Sequence, residues 1–415
     1  MFTFANRFYG FFMSLKRTYE ALGDAIVITM ISFAISVFFV TDIFGFFRFD
    51  SEEEDTNVLI SDIYYRVADN RSVKELNSDI VLIGVDNCNR GDMAALIDAV
   101  DYSAPRVIGL DVLFAIPGDM NDELLISAID NCDNIVLPIR VQYDSKNDTF
   151  SSPIGSFFYN ELHNTHYGVV NFLSSKLTSV RNFKPFFEVG KDSIDSFAAS
   201  ICKLYSPKDY DILKKRGNPI ERINYATSEY MEYDAFEIID NNGMPYPGIE
   251  EILCDKIVLI GGLDSDDDKH ITPIESYMPG IKIHAEIIDT ILSDKYISES
   301  NIIVEIFLPF LFCVLFLYVY LKSEYSNNVN KNTLKIRQLV LRIAQFLLIY
   351  VSVVVGCRLF LKHYYLVNFS YALLMFANTA LIMEFYHGCK AVFKKRYLYY
   401  RLYKRIIKRI LLHKL

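Results

Sequence analysis

Two aspartates stand where a parallel sheet would put them to use. Asp86 follows the apolar run Ile80–Val85, and Asp111 follows Arg106–Leu110. Both runs are short and rich in β-branched residues, as strands buried on both faces are. Open parallel sheets bind ligands beyond the carboxyl ends of their strands, so Asp86, Asn87 and Asp111, with Arg181 and His284, form the candidate ligand set. A second group, Asp264, Asp266, Asp268 and Glu275, falls at positions 1, 3, 5 and 12 of a calcium-type loop. Lys269 occupies the position of the turn glycine, Pro273 interrupts the loop, and a strand rather than a helix leads into it. A solvated acidic loop is the plainer reading and a divalent-cation site the sharper one. His163, His166, His270 and His284 show no HExxH spacing, and no GxSxG, Walker A or GxGxxG pattern occurs. No catalytic residue and no cofactor other than a possible divalent cation is expected, so the chain reads as a non-enzyme.

Those residues need a scaffold. Between the two apolar runs, Asp92–Val100 has helical spacing, with Met93, Leu96, Ile97 and Val100 on one side. Strand, helix and strand in so short a stretch make a βαβ unit. Asp62–Ala68 suits a helix or an edge strand. Asp122–Asn131 is an amphipathic helix, and Asn134–Val141 a third strand that Pro138 bends or ends. Gly168–Phe172 and Val180–Phe183 read as two strands paired with each other. Ser196–Tyr205 is a helix, Ile223–Tyr225 a short strand, Lys256–Gly262 a further buried strand, and Gly280 to about Ser293 a last helix. Asn147-Asp148-Thr149 is a sequon of the kind chance often produces. Cys88, Cys132, Cys202 and Cys254 permit disulfides without the domain needing them.

The chain is 415 residues long and 52% hydrophobic, rich for a soluble protein. Four windows, 25–46, 302–321, 341–361 and 365–386, approach the ~20 apolar residues that cross a bilayer. Segment 48–300 holds 22 basic and 45 acidic residues, whereas the flanks are strongly basic. Basic loops stay in the cytoplasm. The expected layout is therefore a cytoplasmic N-terminus (1–24), an extracytoplasmic α/β domain with a largely parallel sheet (48–300), a cytoplasmic loop (322–340) and a cytoplasmic tail (387–415), joined by four transmembrane helices in the cell's inner membrane.

The order of motifs resembles the CHASE2 domain, an extracytoplasmic sensory module of bacterial receptors. The carrying pieces are IVLIGVDN, RVIGLDVLF, NIVLPI, GVVNFL…VRNF, SFAASI, INY, DKIVLIGG, TPI and MPGIKIHAEIIDTIL, which span 79–293. The resemblance implies a sensor. This chain departs from the pattern at Ser174-Ser175-Lys176-Leu177, where relatives carry acidic residues and a glycine. Relatives also continue into a cyclase or kinase, whereas here only 387–415 follow the last span.

That tail carries Lys394, Lys395, Arg396, Arg401, Lys404, Arg405, Lys408 and Arg409 among ten basic residues and no acid, interleaved with Tyr, Ile and Leu. Anionic lipid headgroups account for such a helix first. A separate cytoplasmic output protein is the next candidate, nucleic acid the last, and homo-oligomerisation is open. The chain as a whole reads as a membrane sensor for an unknown extracytoplasmic ligand. An extracytoplasmic metal-dependent enzyme and a non-sensing scaffold are the rival classes.

Overall fold

The computed structural model describes residues 2–39, 60–71, 74–118, 120–144, 149–151, 153–163, 165–173, 179–190, 192–225, 228–240, 242–264, 268–325 and 331–412. The chain divides into two units. Asp50–Ser298 with Phe360–Tyr365 form one, and Met1–Phe49, Glu299–Leu359 and Leu366–Leu415 form the other.

The first of these is built on a six-stranded sheet. Its strands are β1 (Glu75–Gly84), β2 (Val107–Asp111), β3 (Ile135–Ile139), β4 (His166–Val169), β5 (Ser228–Asp234) and β6 (Ile257–Gly261). They lie in the order β5-β1-β6-β2-β3-β4, and every neighbouring pair is parallel. The expected parallel sheet is present. All five residues of β3 and of β6 are buried, which explains their unbroken apolar runs. The ladder between β2 and β3 ends at Gly109↔Val136, before Pro138, while β3 continues to pair with β4. The proline thus sits where one ladder has already stopped.

Helices cover both faces. α2 (Ile60–Arg71) precedes the sheet, and the expected edge-strand alternative for this stretch falls away. α3 (Arg90–Tyr102) opens with a capping box in which the Asn89 side chain accepts from the Asp92 N–H at 3.0 Å and Asp92 accepts from the Asn89 N–H at 3.0 Å. Its Met93, Leu96, Ile97 and Val100 join Leu125 and Ile129 of α4 (Asp122–Asp130) against Val81, Ile83, Ile108 and Leu110 of the sheet. Each such buried aliphatic side chain contributes roughly 1.5–3 kcal/mol of transfer free energy. α5 (Phe197–Tyr205), capped by Ser196, and α6 (Pro207–Arg216) follow β4. A Cβ at Gly168 of β4 would fall 2.4 Å from the Phe197 Cα, so only glycine lets α5 seat this closely. α7 (Gly280–Leu292) is buried almost all round, as a core helix must be.

Several sequence expectations need correction here. Val180–Phe183 does not pair with the strand at Gly168. Asn182–Phe183 pairs with Glu221–Arg222, while His166–Val169 joins the main sheet. Ile223–Tyr225 is not a strand. β5 and α6 were not anticipated. Arg181, expected in the ligand set, is instead buried in a bidentate pair with Asp62 of α2, both bonds 2.8 Å. The cysteines are all free thiols, and Cys132 is buried.

The second unit holds α1 (Phe2–Phe38), α8 (Ile302–Glu324), α9 (Lys331–His363) and α10 (Ser370–Leu412). Ala21, Ala25 and Ile28 of α1 pack with Cys313, Leu317 and Leu321 of α8, Leu341 of α9, and Ala372, Met375 and Phe376 of α10. Other apolar side chains face outward: Phe346 remains 73% exposed and Ile303 68%. Such an apolar exterior fits a lipid environment and not an aqueous one. Lys16–Phe38, Ile303–Glu324 and Leu339–His363 are long and apolar enough to cross a membrane. That is three helices among the described residues, where four were expected. Asn378, Glu384 and His387 interrupt the apolar part of α10. The first crossing begins earlier than the expected 25–46, whose residues 40–46 lie outside the described set. The basic tail is not a separate helix. α10 runs unbroken for 43 residues and carries Lys394 and Arg396 exposed.

Removing one partner of the Asp62–Arg181 pair leaves the other charge buried and uncompensated. Asp62→Ala is expected to cost about 3–5 kcal/mol in denaturant unfolding of the purified chain, and the double change Asp62→Leu/Arg181→Met to recover most of it. An Asp62→Ala loss below about 1 kcal/mol would mean the pair is solvated.

Candidate functional site

The carboxyl ends of the strands open into a cleft of about 740 Å³. Val85 and Asp86 enter it from β1, Asp111 from β2, Arg140 from just beyond β3, and Asn171 and Phe172 from beyond β4; Gly262 follows β6. His284 reaches it from the second turn of α7, and Asp268 and His270 from the loop before α7. The expected pair Asp86 and Asp111 is therefore brought together with His284.

Local structure fixes each of these. Asp86 Oδ2 accepts from the Leu263 N–H at 2.9 Å and the Asp264 N–H at 3.0 Å, so it holds the loop that leaves β6. Asn171 clamps the strand end opposite, accepting from the Val141 N–H at 2.9 Å and donating to the Val141 carbonyl at 3.0 Å. The Arg140 backbone is pinned by a two-way bridge to Ile154, 2.9 and 2.7 Å. Lys269 and His270 pair antiparallel with Pro279 and Met278, which brings His270 to the start of α7. A Cβ on Gly280 would fall 2.5 Å from Asp268 Oδ2. The bare glycine lets that carboxylate rest against the helix N-terminus, where the helix dipole favours negative charge.

At the back of the cleft, His284 Nε2 lies 3.9 Å from Asp111 Oδ2, and His270 Nε2 lies 3.5 Å from Asp268 Oδ1. Phe172 stands between the imidazoles. Its ring stacks on His284 at 4.8 Å and meets His270 edge-on at 4.8 Å. His284 is 4% exposed. The Nδ1 atoms of His284 and His270 are buried and have no hydrogen-bond partner. Burial, aided by the nearby Asp268 and opposed by Arg140, pushes the Asp111 carboxyl up to about 7. Burial drives the His284 imidazole down to about 4; Asp268 opposes this and His270 adds to it. Near neutral pH the pair is an uncharged imidazole beside a carboxyl that exchanges its proton.

The rest of the expected set lies elsewhere. Asn87 is an exposed turn residue. Asp264 is exposed and engaged through its backbone, and Glu275 is exposed in a turn with Thr272. Asp266 lies outside the described residues, as does the Ser174–Leu177 turn. Among the described residues no three His, Cys, Asp or Glu side chains are grouped so as to hold a metal ion. Lys269 and His270, which fall inside the calcium-type spacing, pair with Pro279 and Met278 in a two-stranded ladder. Arg140, Asn171, Phe172 and His270 were missed. The first three were within reach, since each closely follows a strand end, as Asp86 and Asp111 do.

A larger cleft of about 890 Å³ opens at the amino end of β4, by His166, and is lined by Lys184, Lys203, Lys214 and Tyr210. Part of its lining is already engaged: Lys203 pairs with Asp195 at 3.3 Å, and the Tyr210 hydroxyl donates to Asp195 at 3.0 Å. The smaller cleft, with unpartnered buried nitrogens at the sheet's carboxyl edge, is the functional candidate.

A family model described as the CHASE2 domain matches residues 42–320. The chain belongs to the CHASE2 family. CHASE2 is an extracytoplasmic sensory domain, and the match covers all six strands of the sheet and continues into α8. No curated protein and no solved structure matches the chain. The CHASE2 sheet thus supplies the cleft, and its last helix supplies His284.

The two shifted groups give opposite pH slopes. From about pH 4 to 7 the folded chain keeps a proton on Asp111 that the unfolded chain releases, so this contribution to stability falls as pH rises. From about pH 4 to 6.5 the unfolded chain holds a proton that His284 lacks when folded, so this contribution rises with pH. Asp111→Asn should therefore make Tm climb more steeply than wild type between pH 4 and 6.5, and His284→Gln should turn the slope the other way. Parallel profiles for all three proteins would refute both assignments.

Proposed function

We propose that this CHASE2 protein is a membrane-anchored, non-enzymatic sensor whose extracytoplasmic ligand enters the cleft at the carboxyl edge of the sheet. The observation that carries the reading is the meeting of Asp86, Asp111, Arg140, His270 and His284 there. Helix α7 is the element that would report occupancy. His284 projects from its second turn, and the chain beyond its last residue, Leu292, leads through nine residues to α8. A ligand that binds one setting of α7 more tightly than another shifts the population toward it. Output passes to a separate cytoplasmic protein, with the basic end of α10 as its contact.

The topology that goes with this function has four crossings, both termini in the cytoplasm and the sheet unit outside, in a bacterial inner membrane. α10 is the fourth crossing: its Glu384 pairs with Arg342 of α9 at 2.9 Å, and Thr379 is turned inward. Thr379 is 1% exposed, donates to the Met375 carbonyl at 2.6 Å and meets Cys313 Sγ at 3.4 Å. Gln345 of α9 donates to the Phe376 carbonyl at 3.1 Å. Polar groups satisfied between helices are compatible with a span that a hydropathy average underrates. The charge distribution supports the same orientation.

Two measurements test this. An impermeant maleimide on intact cells should label exposed Cys254, while Arg396→Cys should gain label only after permeabilisation. Label gained by Arg396→Cys in intact cells would place the tail outside and remove the fourth crossing. Crosslinking in membranes should capture a cytoplasmic signalling protein with the full chain and lose it with a chain ending after Phe393, a cut that spares the contacts of Lys390. Capture of lipid and envelope proteins alone by both would argue for a scaffold.

A further inference from the structure

The ligand's chemistry can be taken a step further, resting on the cleft reading above. The cleft is electrically lopsided. Asp111 and Asp268 lie at its back with no cationic side chain bonded to either, apart from the two histidines. His284 is neutral down to about pH 4. Asp86 already spends one oxygen on two backbone N–H groups. Burial first, and then the nearby Asp268, disfavour the ionised Asp111 carboxyl, and Arg140 opposes this only in part.

Among the described residues no three metal donors converge. An ammonium group suits the lining. It needs two or three acceptors near 2.8 Å and no fixed coordination polyhedron. Asp111 and Asp268 supply charged acceptors. The buried Nδ1 atoms of His270 and His284, without a hydrogen-bond partner, are the atoms such a donor would satisfy, because a neutral imidazole carries an acceptor nitrogen.

The opposite charge is also provided. Arg140 lines the cleft, is exposed, and has no hydrogen bond or ion pair from its guanidinium among the described residues. Its backbone is held by the bridge to Ile154. An unpaired guanidinium on a pinned backbone is suited to a carboxylate taken two-pronged.

We propose that the cleft binds a small zwitterionic amino compound, an amino acid in the broad sense, with its ammonium group at Asp111, Asp268, His270 and His284 and its carboxylate at Arg140. A bound ammonium favours ionised Asp111, so affinity rises with pH through about 7. Asp268, Arg140, His270 and His284 are the charged and titratable groups that face Asp111.

The test uses the full chain in lipid nanodiscs, probed by thermal shift and calorimetry. The probes are the common α-amino acids and γ-aminobutyrate, each beside its two half-ligands, the amine without the acid and the acid without the amine. At least one amino acid should bind saturably while its half-ligands do not. Asp111→Asn and Arg140→Ala should each weaken it about 10- to 100-fold, and Lys203→Ala, in the other cleft, should leave it unchanged. Arg140 is exposed, so its variant tests the site without disturbing the core. If amines alone or carboxylates alone bind, and Asp111→Asn abolishes it, the zwitterion is wrong and the cleft reading stands. Binding that survives both cleft substitutions overturns the inference and the cleft reading together. An absence of binding by every amino acid overturns the zwitterion.

Discussion

The sheet is complete only when its last strand lies between its first two. β6 separates β1 from β2, pairing Gly84 with Gly261 on one side and Gly261 with Asp111 on the other. The 172 residues from Val85 to Lys256 intervene before the chain returns to fill that slot. Everything at the carboxyl edge follows from this insertion. It sets Asp86 and Asp111 on either side of the loop leaving β6, gives Asp86 two N–H groups to hold, and delivers α7 over the same edge. Long-range parallel pairing of this kind carries a loop-closure cost before its contacts form. The buried strands offset it with continuous apolar surface.

α7 has two chemically different ends. At its start the helix presents His284 to the cleft and leaves room for the Asp268 carboxylate by beginning with glycine. Further along, Glu286 and Asp289 are buried against the sheet. Asp289 accepts from Asn77 at 3.0 Å and Ser228 at 2.8 Å, while burial and the neighbouring Asp289 hold the Glu286 carboxyl well above its ordinary range. A core helix made of isoleucine alone would be indifferent to rotation. This one has polar groups with particular partners along its length, so its setting is specified.

Much of this was legible in the sequence, and the reasons for the rest are local. Ile80–Val85, Arg106–Leu110 and Lys256–Gly262 announce buried strands by composition, and Asp86 and Asp111 announce the cleft by following them. β5, SEYMEYD, lies at an edge and stays half-exposed throughout, so it lacks an apolar run, and its pairing with β1 shifts register between Asn77 and Val81. Arg181 finds Asp62 across 119 residues, a separation over which spacing carries no information. The acidic loop is the converse case. Its one-dimensional spacing matches a cation loop, while the placing of its far end comes from the pairing of Lys269 and His270 with Pro279 and Met278. The polar residues of α10 likewise lower its hydropathy, although Glu384 pairs with Arg342 of α9 and Thr379 is buried against Cys313 of α8.

The continuity of α10 has a mechanical consequence. Near its middle, Lys390 and Tyr386 bond to the buried Asp24 of α1, Tyr386 at 2.7 Å, and Tyr325 bonds to the same carboxylate. Beyond that anchorage the helix continues to Leu412, about 33 Å at 1.5 Å per residue. With no hinge between, the stretch acts as an arm pivoted at Asp24. Each ten degrees of tilt at the pivot sweeps its far end through about 6 Å, so a rearrangement of side-chain size among the helices is amplified along the helix.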